Sequence, residues 1–168
     1  MFWRTAINSS DILNLLVNSP LFRGVPRTFL QSHLDNLGHR SLQAGDTLLA
    51  MGKSNDSIYV VLSGRLRIHL GSPKSEAVEM FGQGDCVGEM STLLDDGQVS
   101  AYVIADTHCE LLVIDRAIVW SLINDSQKTA RNLLHPFGPK SCASKWPEGS
   151  PPLARSCPRT PPQGFGSI

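Results

Sequence analysis

Phe81-Gly82-Gln83-Gly84-Asp85-Cys86-Val87-Gly88-Glu89-Met90, followed by Leu93-Leu94-Asp95-Asp96-Gly97-Gln98-Val99-Ser100-Ala101, is the stretch on which the fold turns. It reads as a glycine-rich turn, a short helical turn, a loop rich in Asp and Gly, and a strand returning to the core. Gly88 would let the backbone approach a ligand closely. Amides opening the short helix can face an anion. Glu89 is an acceptor suited to a sugar hydroxyl, and Ser100 can donate to a phosphate oxygen. Each residue also has a plain structural reading. Gly88 can serve a tight turn, Glu89 can favour the helix dipole, and Ser100 can satisfy a neighbouring backbone group.

On both sides of this stretch the apolar period is two. Thr47–Met51 and Ser57–Leu62 read as strands. Leu66, Ile68 and Leu70 alternate with Arg65, Arg67 and His69, which predicts one wet face. Glu76–Phe81, Val99–Ala105 and Cys109–Ile114 continue the series. Turns fall at Gly45-Asp46, Ser54-Asn55-Asp56, Ser63-Gly64, Gly71-Ser72-Pro73 and Asp95-Asp96-Gly97. Short strands so punctuated predict a mainly β fold, a sandwich or jelly roll.

Helices flank the strands. Ser10-Asp11 is expected to cap a helix carrying Ile12, Leu15, Leu16 and Val17. A second helix is expected from Pro26, showing Phe29, Leu30, His33, Leu34 and Leu37, with Gly38 as its stop. His33 reads as a packed or half-exposed histidine rather than a ligand. Asp115 opens another helix with Ile118, Val119, Leu122 and Ile123. A last one runs from about Ser126 to His135, before Pro136, Gly138 and Pro139 end it.

The chain has 168 residues, 41% hydrophobic and 18% charged, which bounds it to one globular domain with a real core. Residues 1–9 form an N-terminal segment and residues 10–135 the domain. Residues 136–168 hold 8 of the 11 prolines, so this Pro/Gly/Ser-rich tail is expected to be disordered. The switch at Leu134-His135-Pro136 is abrupt enough to suggest a truncated or frame-shifted version of a longer regulator. Net charge is zero, so no global basic field attracts nucleic acid. There is no signal-peptide pattern, and no apolar run approaches the roughly 18 residues of a membrane span. A cytoplasmic setting is the expectation. Cys86 and Cys109 lie in strand-like text and read as buried thiols. No cofactor or metal is expected, because the five histidines (33, 39, 69, 108 and 135) are scattered. A cupin-like metalloenzyme needs them clustered.

The order of helix, β-roll, Gly88-Glu89-Met90, acidic-Gly loop, Ser100-Ala101, strand and closing helix resembles the cyclic-nucleotide-binding domain family, above all the sensor halves of catabolite-activator-type regulators. The resemblance covers about residues 10–135. Gly45-Asp46 and Ser63-Gly64 stand where the family's turn glycines stand. It implies a double-stranded β-helix (jelly roll) and a non-catalytic sensor. It assigns the ribose 2′-hydroxyl to Glu89, backbone groups to Gly88 and Met90, and the cyclic phosphate to Ser100 and the Ala101 amide. The family's phosphate-pairing Arg is Val99 here, preceded by Gln98 instead of Pro. Removing one partner of a buried charged pair costs about 2–5 kcal/mol, or roughly 30- to several-thousand-fold in affinity. Arg65 and Arg67 are expected to point outward, and Lys53 to be solvated in its turn. The closing helix is also cut at Pro136, before the family's purine-contacting region. A cyclic nucleotide or other small anionic ligand, held weakly or not at all, is therefore the expected ligand. A protein partner or a weak homodimer is the alternative for an interaction domain. No direct nucleic-acid or membrane contact is expected.

Overall fold

The computed structural model describes residues 8–93 and 97–134. The expected tail, residues 136–168, lies outside the described residues, as do most of the N-terminal segment and Leu94–Asp96.

Among the described residues, eight strands form the roll: β1 (Gly38–Leu42), β2 (Thr47–Leu49), β3 (Ser57–Ser63), β4 (Leu66–His69), β5 (Ala77–Phe81), β6 (Cys86–Val87), β7 (Tyr102–Ala105) and β8 (Cys109–Asp115). They make two antiparallel four-stranded sheets, ordered β1-β8-β3-β6 and β2-β7-β4-β5. The helices are α1 (Ser9–Asn18), α2 (Arg27–His33), α3 (Glu89–Leu93), α4 (Arg116–Asp125) and α5 (Gln127–Leu134).

The first sheet explains the near-continuous apolar text of β3. Ile58, Val60 and Leu62 join Leu112 and Ile114 beneath the helices, packing on Ile12, Leu16, Phe22, Leu30, Val119 and Leu122. Tyr59 and Val61 face the other way, between the sheets, with Leu49, Leu66, Val87, Val103 and Leu111. A strand covered on both faces has no wet side to alternate with.

Several boundaries differ from the sequence expectation. Asn8, not Ser10 or Asp11, occupies the start of α1, and no side chain caps it. Gly38 does not stop α2; it opens β1. The helix has already tightened into a 3-10 turn over Leu34–Asn36. The Ser32 hydroxyl donates to the Phe29 carbonyl at 2.8 Å, and His33 Nδ1 lies 2.9 Å from the same oxygen, so side chains engage the helix acceptor early. β2 ends at Leu49, because Ala50–Lys53 closes a turn (Lys53 N–H to Ala50 O, 3.0 Å) with Gly52 at φ +77°.

His69 departs most from expectation. Rather than sharing a wet face with Arg65 and Arg67, it is buried at 4% exposure, with Nδ1 2.7 Å from the Ser75 carbonyl oxygen. The pairing slips between Ile68↔Glu79 and His69↔Ala77, and Ser75 in the connecting turn reaches back to the ring. His33 is half-buried as expected, its ring centroid 4.7 Å from that of Phe29. Cys109 is buried and Cys86 half-buried, both as free thiols.

Candidate functional site

The cassette leaves β5 through a turn locked to β3. Asp85 Oδ2 accepts from the Gly82 amide at 2.8 Å. The Gly84 amide donates to Val61 O and the Val61 amide to Asp85 O, each at 2.9 Å. The short strand β6 then pairs Val87 with Tyr59 and Cys86 with Val60. At Gly88 the backbone turns left-handed, φ +92°, against the roll itself. A Cβ there would stand 2.6 Å from Ser57 O and 3.0 Å from Asn55 Nδ2. The close contact at Gly88 is with the protein's own backbone and the Asn55 side chain, as the tight-turn reading of this glycine has it.

α3 follows, anchored on the Gly88 carbonyl. That oxygen accepts from Thr92 N (3.1 Å), Thr92 Oγ1 (2.8 Å) and Ser91 Oγ (3.1 Å). Asn55 joins this knot from the β2–β3 turn. Its buried Nδ2 donates to Ser57 O at 2.7 Å and to Ser91 Oγ at 2.9 Å, and lies 3.4 Å from Gly88 O. Its main-chain amide donates to Gly97 O at 2.9 Å, across the cassette loop. The returning segment is clamped by the same turn. Val99 N–H reaches Lys53 O at 2.9 Å, Gly52 N–H reaches Val99 O at 2.8 Å, and Ser54 stands opposite Gln98. Asn55 was missed in the sequence, where Ser54-Asn55-Asp56 reads only as a turn. No spacing signal betrays that its side chain spans 36 residues to Ser91.

The six sequence-predicted site residues divide by environment. Gly88, Glu89 and Met90 are half-buried at the start of α3. One Glu89 oxygen, Oε2, is buried without a hydrogen-bond partner. Burial pushes the Glu89 carboxyl up from its ordinary range, and a hydrogen bond from its own main-chain amide opposes that. Burial likewise raises the Cys86 thiol, and the Glu89 and Asp85 carboxylates raise it further. On the return, Val99 is 7% exposed and packs into the cluster between the sheets that holds Tyr59, Val87 and Leu49. Ala101, two residues on, is buried, whereas Ser100 between them is exposed.

The cations weighed from the sequence are Arg65, Arg67 and Lys53. Arg65 Nη2 lies 3.1 Å, and Arg67 Nη1 3.9 Å, from the Asp106 carboxylate. The Lys53 side chain is exposed. Among the described residues, no group of three His, Cys, Asp or Glu is placed to hold a metal ion. Among those residues, too, no helix is long and apolar enough to cross a membrane.

Two antiparallel sheets rolled together, interrupted by a glycine turn and a short helix between β6 and β7, define a β-roll module. The model of the cyclic nucleotide-binding domain matches residues 39–126, and the chain belongs to that family. It is 33% identical over 118 residues to the cyclic AMP receptor protein of Thermus thermophilus, covering 68% of this chain and 54% of that protein. It is 30% identical over 119 residues to the cGMP-dependent 3′,5′-cGMP phosphodiesterase A of Dictyostelium discoideum, covering 71% of this chain and 13% of that enzyme. The chain thus spans about half, or much less, of the length of these relatives. The crystal structure of the Thermus thermophilus catabolite activator protein superposes with a TM-score of 0.62 at 30% identity, covering 69% of this chain and 55% of that one. The jelly-roll expectation holds.

Proposed function

We propose that this chain is a non-catalytic regulatory domain whose cassette keeps the family's shape but binds cAMP and cGMP weakly or not at all. The observation that carries this reading is the place of Val99. Its side chain is buried among apolar groups between the sheets, where the family's Arg would offer a planar donor pair to the phosphate. Of the cations weighed from the sequence, Arg65 pairs with Asp106, Arg67 lies 3.9 Å from the same carboxylate with its Nε buried and unpartnered, and Lys53 is exposed in its turn.

Glu89, Gly88 and Met90 remain the candidates for the ribose end. Ser100 and the Ala101 amide remain those for the phosphate end. Calorimetry of the full chain with cAMP and with cGMP is expected to give no binding tighter than high micromolar. A low-micromolar constant for either would overturn the reading.

A further inference from the structure

We propose that the free edge of β5 is a docking site for an extended protein segment, which carries a basic residue between aliphatic ones and joins the second sheet as a further strand. The inference stands apart from the cyclic-nucleotide reading, because β5 ends where the cassette begins.

The two sheets end on β1 and β6 and on β2 and β5. An edge strand leaves alternate N–H and C=O groups without a neighbour, and proteins blunt such edges with short strands or charged side chains. β6 has 2 residues and β2 has 3. β1 carries His39 and Arg40, both exposed. β5 has 5 residues, reading Ala-Val-Glu-Met-Phe, with Glu79 as its one charge. Among the described residues, its main chain makes no hydrogen bond beyond the pairing with β4. Met80 is 47% exposed and offers an adaptable apolar contact.

Charge selects the occupant. Glu79 is half-buried opposite Ile68 and forms no ion pair among the described residues. A second copy of this chain, laid antiparallel over all of β5, sets Glu79 against its own counterpart. Like charges directly opposed destabilise a sheet, whereas a Lys or Arg at that place makes a favourable cross-strand pair. Its aliphatic neighbours then lie against Val78 and Met80. The β4–β5 pairing slips beside Val78, so the regular ladder open to a guest is residues 79–81 and the added strand is short.

The test is a titration of the isotope-labelled full chain with two end-capped peptides, Thr-Val-Lys-Val-Thr and Thr-Val-Glu-Val-Thr, read from the amide shifts of Ala77–Phe81. The lysine peptide is expected to move those amides at high-micromolar to millimolar concentration and to bind about fivefold tighter than the glutamate peptide. Glu79→Lys is expected to reverse that order, and Glu79→Gln to remove the preference. The peptide Thr-Val-Lys-Pro-Pro, which lacks N–H groups on both of its edges, is expected to leave the amides unmoved. Unmoved β5 amides with the lysine peptide, equal binding of the lysine and glutamate peptides, or undiminished binding of the proline peptide would each overturn the proposal. Sedimentation of the chain alone showing a dimer with shielded β5 amides would also overturn it, in favour of a second copy.

Discussion

At the Gly88 end of the cassette one carbonyl gathers Thr92, Ser91 and Asn55 around it, while the carboxylate oxygen of the next residue has no partner. At the Val99 end the backbone is paired in both directions with Gly52 and Lys53, and the side chain packs into the apolar cluster between the sheets. The backbone is held at both ends, yet the first end buries an open carboxylate oxygen and the second an apolar side chain. Shape and charge are held by different atoms here, so one can be lost while the other persists.

The largest break in this comparison is Val99→Arg, which gives the second end a charge. Cyclic-nucleotide affinity in calorimetry is expected to rise by about 30-fold or more, in line with about 2–5 kcal/mol for a buried charged pair. Without ligand the same variant is expected to lose about 2–4 kcal/mol in urea unfolding, because the guanidinium replaces a buried valine. An unchanged affinity in a folded variant would place the defect elsewhere in the pocket.

Next in size is Gly88→Ala. Its methyl would meet Ser57 O at 2.6 Å in a left-handed backbone, and about 3 kcal/mol of destabilisation is expected. Gly97, at φ +60° with its nearest neighbour 3.7 Å away, is expected to tolerate Ala at about 1 kcal/mol. Comparable losses at both glycines would refute the tight fit at the first.

Asn55→Ala removes the donor shared by Ser57 O and Ser91 Oγ and strands the buried acceptor left at Ser57, so a loss of about 2 kcal/mol is expected. A loss no larger than that of a surface turn asparagine would show that the knot contributes little.

The smallest effect sharpens the polar end. The Glu89 carboxyl is raised above its ordinary 4.5. What the protonated form adds to stability is therefore complete below the unfolded value and fades as pH rises through the folded one. Glu89→Gln is expected to be more stable than the native chain at neutral pH by about 1 kcal/mol, with the gap closing in acid. Paired urea midpoints at neutral and acid pH measure it. A native chain that is the more stable at neutral pH would mean that Oε2 has a partner.

The roll is legible because short apolar strand runs are punctuated by turns that use glycine where φ is positive, as at Gly45, Gly64 and Gly71. The cassette was legible through the order of its residue types. What could not be read depends on register. A slip of pairing at Ile68/His69 buries a histidine that alternation places outside. A turn asparagine becomes a buried hub only once β3, α3 and the returning segment converge on it. The unpartnered Glu89 oxygen is likewise a property of packing, since the sequence shows that a carboxylate is present but not what surrounds it.

Asn55 has a kinetic consequence as well. Its side chain holds the front of the cassette and its amide holds Gly97, so neither end loosens without disturbing the other. Amide hydrogens at Asn55, Thr92 and Val99 are therefore expected to exchange with solvent through one shared opening rather than separately. Ligand contact at either end would slow exchange at both, making the β2–β3 turn a reporter of occupancy at a distance from the ligand itself.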